Sequence, residues 1–343
     1  MASEPAGVRT TRAIIDEARA ALSPLAWDYV VGGAETETTV RRNRAALDGL
    51  ALRPRVLRDV STIDASTTLL GHALRIPVLL APIGALETIT PDGAAASARA
   101  AERFGILAMI SSVTEPALEE VATVTDAPLL CQLYVRGDEA WVDELVDRVV
   151  AAGYAAIALT VDAARYGRRE RQLRHGWAPP EHARADLSWQ ARLDWRTVER
   201  IRDRAGLPII VKGIQAAEDA ELALEHGVAV IYVSNHGGRD LDHGPATLDS
   251  LREIVDAVAG RAEIVVDGGF LRGGDVCKAI ALGANAVGLG RLHALALGAG
   301  GVATLLEALE LLELEIQTTM GLIGVSRLGE LGPSFVVRSI ALP

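Results

Sequence analysis

Eight short apolar runs alternating with segments of helical periodicity predict a (β/α)8 TIM barrel, with an N-terminal helical cap and a short lid insertion after strand 4. In order, the runs are PVLLAP (77–82), ILAMIS (106–111), PLLCQLY (128–134), AAIALTVD (155–162), LPIIVKG (207–213), VAVIYVSN (228–235), EIVVDGG (263–269) and NAVGLG (285–290). Each is short, apolar and bounded by polar or glycine-containing segments, as a strand buried on both faces requires. The stretches between them, such as DGAAASARAAERFG and EAWVDELVDRVVAAG, carry helical spacing, and several close on glycine, the usual C-terminal stop. A doubly wound open sheet is the competing architecture, but eight units in unbroken alternation favour closure.

Residues 1–76 precede the first barrel strand and contain two helix-like stretches, Thr11–Leu22 and Ser23–Leu50, followed by a polar connection. They are expected to form a cap on a barrel of residues 77–343, the whole being one structural domain. Residues 163–193 lie between strand 4 and its helix, are rich in arginine and contain Pro179–Pro180. An insertion of that kind is expected to lie over the active-site face as a loop or lid.

Composition narrows the function classes. The chain has 343 residues, half of them hydrophobic, with a formal charge of −11, which argues against general affinity for nucleic acid or anionic membranes. Cys131 and Cys277 sit in apolar or helical patterns and read as buried thiols rather than a disulfide framework. The opening MASEPAGVRTTRAIIDEARAAL has no apolar segment after its charges, and no run of eighteen uncharged apolar residues occurs. The expectation is a soluble, cytoplasmic protein.

Barrel enzymes place their chemistry at the C-terminal ends of the strands. Those ends carry Ser111, Gln132 and Tyr134, Thr160 and Asp162, Lys212, then Ser234, His236 and Arg239, and finally Asp267 and Arg291. Any one could be an ordinary loop residue, but the barrel brings all of them to one face. The turns DGGFLRGGD and GLGR after strands 7 and 8 are rich in glycine, so backbone N–H groups can approach a phosphate, and arginine adds charge.

The segment SNHGGRDLD (234–242) resembles the active-site signature S-N-H-G-[GA]-R-Q of the FMN-dependent 2-hydroxyacid oxidases and dehydrogenases, a family that includes glycolate oxidase, lactate oxidase, mandelate dehydrogenase and hydroxymandelate oxidase. The resemblance extends through WDYVVGGAETETTVRRN, CQLYV, LTVDAARYGRRE, LPIIVKG, VDGGFLRGGDV and ALGANAVGLGR, nearly the entire chain. It implies oxidation of an (S)-2-hydroxy acid to the 2-oxo acid with FMN as cofactor. By resemblance, His236 is the general base and Asp162 orients it. Arg239, Arg169 and Tyr29 bind the substrate carboxylate, and Tyr134 contacts the reacting hydroxyl. Lys212 stabilises charge at the flavin N1–C2=O edge. Ser111, Gln132 and Thr160 hydrogen-bond the ring, Pro82, Ile83 and Gly84 supply close backbone, and Ser234 touches ring or tail. Asp267 takes the ribityl hydroxyls, while Gly268, Gly269, Gly290 and Arg291 hold the phosphate. The resemblance assigns no metal ligands. It implies oxygen or another electron acceptor as partner and a homo-oligomer, a tetramer in many relatives.

Departures from the pattern carry their own expectations. Leu271 stands where the family usually has arginine, so FMN should be held less tightly unless Arg272 swings round to replace it. Asp240 replaces the signature's glutamine. The lid is short, leaving the site more open. Val113 replaces a bulky aromatic group, and Leu86, Glu87 and Tyr166 are expected to line the pocket, which favours a larger or aromatic substrate over glycolate. Two other readings compete: a non-redox FMN barrel isomerase, and a flavin-binding scaffold without turnover.

Overall fold

The computed structural model describes residues 10–179, 186 and 188–339. The first residues of the opening segment, and Pro180 of the expected proline pair, therefore lie outside the described residues. Eight parallel strands close into the expected barrel. They are β1 (Val78–Leu80), β2 (Leu107–Ser111), β3 (Leu129–Leu133), β4 (Ala156–Thr160), β5 (Ile209–Ile214), β6 (Val230–Val233), β7 (Glu263–Val266) and β8 (Ala286–Leu289). Closure pairs Val287 of β8 with Val78 of β1, so no strand edge is left open. β2, β3 and β4 are buried at every position, because helices cover the outside and side chains fill the inside.

Twelve α-helices are described: α1 (Thr11–Ala21), α2 (Pro24–Val31), α3 (Thr38–Asp48), α4 (Gly93–Phe104), α5 (Leu118–Ala122), α6 (Glu139–Ala151), α7 (Glu170–Arg174), α8 (Trp195–Ala205), α9 (Ala217–Glu225), α10 (Thr247–Val258), α11 (Gly273–Ala281) and α12 (Arg291–Leu322). Local chemistry sets their ends. Asp194 caps α8 in a reciprocal box with Thr197, and Gly206 closes it in the left-handed region. α12 is long and apolar enough to cross a membrane by length and composition alone. Its backbone breaks at Gly300–Gly301, and it packs on α1, α4 and α11. Gly301 has φ +67°, which glycine tolerates at that break.

The N-terminal region differs from its sequence-based reading. The expected stretch Ser23–Leu50 is two helices, α2 and α3, parted at Gly32–Gly33. The Ser23 side chain caps α2 through the Ala26 N–H and Pro24 opens it. A Cβ on Gly33 would strike Val40 and the carbonyl of Gly238, so glycine lets the strand-6 loop dock there. The polar connection also contains an antiparallel hairpin, Thr67–Leu69 with His72–Leu74. The Leu70 N–H donates to the Glu263 carboxylate at the start of β7, which places the hairpin at the N-terminal end of the barrel, opposite the strand ends that carry the polar residues.

Candidate active site

The cleft at the C-terminal ends of the strands draws on nearly every element. Pro82, Ile83 and Gly84 follow β1, Val113 follows β2 and Tyr134 follows β3; Thr160 ends β4 and Lys212 lies in the second half of β5. His236 and Arg239 follow β6, Asp267 to Leu271 follow β7, and Gly290 and Arg291 follow β8. The cap adds Tyr29, Val40 and Arg44, and the lid adds Arg169 and Pro179.

His236 owes its position to a strained turn. Its φ is +56°, followed by +63° at Gly237 and +74° at Gly238, and a histidine in the left-handed region is uncommon. A Cβ on Gly237 would meet Arg291 and one on Gly238 would meet the Val40 backbone, so the two glycines let the turn lie flat between cap and cleft. The neighbouring Asn235 exchanges amide hydrogen bonds with Asn43 of α3, at 2.8 and 3.0 Å, tying the turn to the cap. The ring Nδ1 lies 3.1 Å from Oδ1 of Asp162. A carboxylate only accepts, so Nδ1 carries the proton and Nε2 presents its lone pair. The Tyr134 hydroxyl, 3.1 Å from Nε2, donates to it.

Asp240 also reaches this histidine. Its Oδ2 lies 3.2 Å from Nδ1, and its Oδ1 accepts from Arg169 Nη2 at 2.9 Å and from the Gly167 N–H at 3.1 Å. Burial pushes the Asp240 carboxyl up, but His236 and Arg169 outweigh it and hold it below the usual carboxylate range. The sequence reading marked Asp240 only as a departure and missed this role; the signal available was a charge where the signature has an amide.

Around the carboxylate-binding residues, Arg169 lies over the Tyr166 ring at 4.0 Å and donates to its hydroxyl and to the Arg239 carbonyl. Arg239 stacks over Tyr29 at 4.9 Å. All its guanidinium hydrogen bonds among the described residues run from Nη1, to carbonyls of Tyr29, Val30 and Gly32. Its Nε and Nη2 therefore remain for a ligand. Burial, then the nearby Arg169, lowers Arg239 from its ordinary value, as expected for a half-buried cation with no anion beside it among the described residues. The Tyr29 hydroxyl donates to the Gly84 carbonyl at 2.6 Å.

Lys212 donates to Ser234 at 2.9 Å, and Ser234 donates to Asp267 at 2.8 Å. Ser234 is fully buried, supporting the His236 N–H from below rather than lining the cleft. The Ser111 hydroxyl donates to Gln132, and Gln132 to Thr160, as one buried row. At the far end, the Nε of Arg291 is buried and unpartnered among the described residues; burial, then Arg239, pushes this arginine down to about 9. A Cβ on Gly290 would meet nothing, so open space adjoins the backbone there.

Four of the expected placements need correction. Arg272 does not turn toward the cleft: it is exposed and paired with Glu315 at 2.5 Å. Leu86 is a core residue, 2% exposed. Glu87 accepts from Thr114 and the Glu115 N–H, satisfying its own loop. Tyr166 lies behind Arg169 in an adjoining hollow with Tyr134 and Asp240. Arg44, not singled out beforehand, lines the phosphate end and is clamped by both oxygens of Asp275.

The FMN-dependent dehydrogenase family matches residues 18–192 and 183–338. The chain belongs to this family. It is 41% identical over 343 residues to a peroxisomal (S)-2-hydroxy-acid oxidase of Oryza sativa subsp. japonica, covering 93% of each chain. It is 39% identical to the L-lactate oxidase of Nostoc sp. (strain PCC 7120), over 93% of this chain and 95% of that one. Among solved structures, mandelate oxidase superposes with TM-score 0.91 at 37% identity, over 97% and 99% of the two chains. The protein is thus an FMN-dependent oxidoreductase, and its cleft fits that cofactor. An unpartnered buried guanidinium nitrogen and an open glycine backbone stand at one end, matching a phosphate. Lys212 and Thr160 line the other end, with the buried Gln132 amide and Ser111 hydroxyl bonded in a row behind Thr160, matching a polar flavin edge.

Proposed function

We propose that the protein oxidises (S)-2-hydroxy acids to 2-oxo acids with FMN, with oxygen as the electron acceptor. The observation that carries this reading is the convergence on one cleft of a histidine whose Nε2 lone pair meets only the Tyr134 hydroxyl among the described residues and a half-buried arginine with unused N–H groups. A phosphate-and-flavin site needs neither; a carboxylate substrate that must lose a proton needs both. The isomerase alternative leaves this pairing without a purpose, and the scaffold alternative leaves the His236 tautomer lock without one.

In this reading, Arg239 takes the carboxylate through Nε and Nη2, and Arg169 adds a second charge-assisted contact. Tyr29 bounds the carboxylate end. Tyr134 exchanges its hydrogen bond to His236 for one to the substrate hydroxyl. His236 removes the proton at Nε2, and Asp162 stabilises the resulting imidazolium through Nδ1. Burial pushes both tyrosine hydroxyls up, so each stays a donor through the reaction. FMN, when bound, supplies the acceptor for the two electrons. Lys212 would lie at the ring edge where negative charge collects, and Arg291, with Gly268, Gly269 and Gly290, would hold the phosphate.

Val113 lines the cleft with only three side-chain carbons, so the substrate side chain can be larger than that of glycolate. A larger or aromatic 2-hydroxy acid is the preferred substrate in this reading, and solved mandelate oxidase structures stand among the similar folds. The test is the visible spectrum of the FMN-loaded protein, recorded anaerobically with (S)-2-hydroxy acids from small to aromatic. Bleaching by the aromatic members ahead of glycolate is expected, with colour returning on admitting air. Flavin that no hydroxy acid bleaches would sink the reading.

A further inference from the structure

We propose that Asp240 is a positioning residue that couples the base His236 to the carboxylate-binding Arg169, so that substrate binding strengthens the base. The inference rests on the proposed function. The carboxylate spans the two groups: Oδ1 holds Arg169 Nη2 at 2.9 Å and the lid's Gly167 N–H at 3.1 Å, while Oδ2 faces His236 Nδ1 at 3.2 Å. Its side chain is 5% exposed, and Oδ2 has no hydrogen-bond partner of its own among the described residues. Its charge is therefore directed at histidine and arginine rather than dispersed into water.

The consequence follows from counting charges on each side of the imidazole. Asp162 and Asp240 both face Nδ1, and among the described residues only the Tyr134 hydroxyl faces Nε2. The other polar neighbours are the Ser234 hydroxyl beneath the His236 N–H, Lys212 bonded to that serine, and Arg291 beside Gly237. Two carboxylates behind Nδ1 favour the imidazolium that forms as the proton arrives. A glutamine in place of Asp240, as in the signature the sequence resembles, would supply no charge there.

The same carboxylate balances Arg169, whereas Arg239 has no carboxylate within ion-pair distance among the described residues. A substrate carboxylate reaching Arg169 competes with Oδ1 of Asp240 for the guanidinium. As that hold loosens, more of the Asp240 charge acts on His236, at the moment the base must accept a proton.

The experiment uses the FMN-loaded enzyme and the variants Asp240→Gln, Asp240→Asn and Asp240→Glu, with the hydroxy acid that bleaches the flavin best. Stopped-flow flavin reduction is followed as a function of pH. The base works only when neutral, and a histidine stripped of a negative neighbour releases its proton more readily. The amide variants should therefore move the acid limb of the rate to lower pH by about one unit. Their plateau rate should fall about tenfold, because the forming imidazolium is less stabilised. Their dissociation constant for the hydroxy acid should fall severalfold as Arg169 is released, and Asp240→Glu should keep the native limb. Histidine-labelled ¹⁵N NMR of the same proteins without substrate should show His236 titrating at correspondingly lower pH in the amide variants. An unmoved limb together with an unmoved His236 signal would overturn the proposal and leave Asp240 a partner of Arg169 alone. Failure of the proposed function shows differently: no hydroxy acid would bleach the native flavin, while the NMR displacement would still uphold the link from Asp240 to His236.

Discussion

At the residue scale, the phosphate end shows what one substitution does to a charged site. Leu271 packs partly buried against the core where the family pattern has arginine, and Arg272 is committed to Glu315 on the surface. Arg44 stands nearby but its charge is balanced by Asp275 and Asp48. Among the described residues, that leaves Arg291 facing the phosphate position with a buried, unpartnered Nε. A hydrogen bond to a charged group contributes about 1.5–3 kcal/mol. Leu271→Arg should therefore tighten FMN binding about ten- to a hundredfold, read from quenching of flavin fluorescence on titration. An unchanged dissociation constant would mean that Arg44 releases Asp275 and already fills the role.

At the element scale, the site depends on an irregularity at the end of β5. The register of β5 against β6 slips between Lys212 and Ile214, and the intervening Gly213 has φ +120°, a conformation open to glycine and few others. A Cβ there would lie 2.7 Å from Cβ and 2.8 Å from Cγ of Asp162. The bulge thus makes room for the aspartate that orients the base. Gly213→Ala is expected to push Asp162 off His236 Nδ1. Flavin reduction should slow by about a hundredfold, within the range that general-base catalysis contributes. A variant with native reduction rate would show that Asp162 can be displaced without consequence.

At the scale of the whole molecule, the cap is fastened to the barrel by buried polar groups as well as apolar packing. Asp242, in the loop after β6, accepts from the Thr36 N–H at 3.1 Å, the Thr36 hydroxyl at 2.7 Å and the Thr39 N–H at 2.8 Å. Burial pushes this carboxyl up, but the bonds from Thr36 and Thr39 prevail and hold it below the usual carboxylate range. Its folded value is depressed, so its contribution to stability is complete above the unfolded value of about 4 and is lost as pH falls through the folded one. Asp242→Asn should cost about 1–3 kcal/mol at pH 7. The difference from native should shrink as urea unfolding is repeated from pH 4 downward. A difference independent of pH would show that the charge on Asp242 does not fasten the cap.

Much of this could be read before folding was considered. The barrel, its strand order and the strand-end residues follow from local rules: a buried parallel strand must be short and apolar, and a crossover helix must separate it from the next. Pro82, Gly84, Tyr134, Thr160, Lys212, His236, Arg239, Asp267 and Arg291 all line the cleft as the strand ends and the family signature implied. The break at Gly32–Gly33 escaped the reading because it serves a distant partner, the carbonyl of Gly238, that periodicity along one segment cannot register. Arg272 turned outward because Glu315, a helix away in sequence, lies on that side. Asp240 looked like the loss of an amide, yet folding sets it between His236 and Arg169. Sequence alone determined which chemical groups stand at the mouth of the barrel, since strand alternation is a local property. Only the tertiary structure decided which charges meet there, because pairing depends on distances of a few ångströms between residues far apart in the chain.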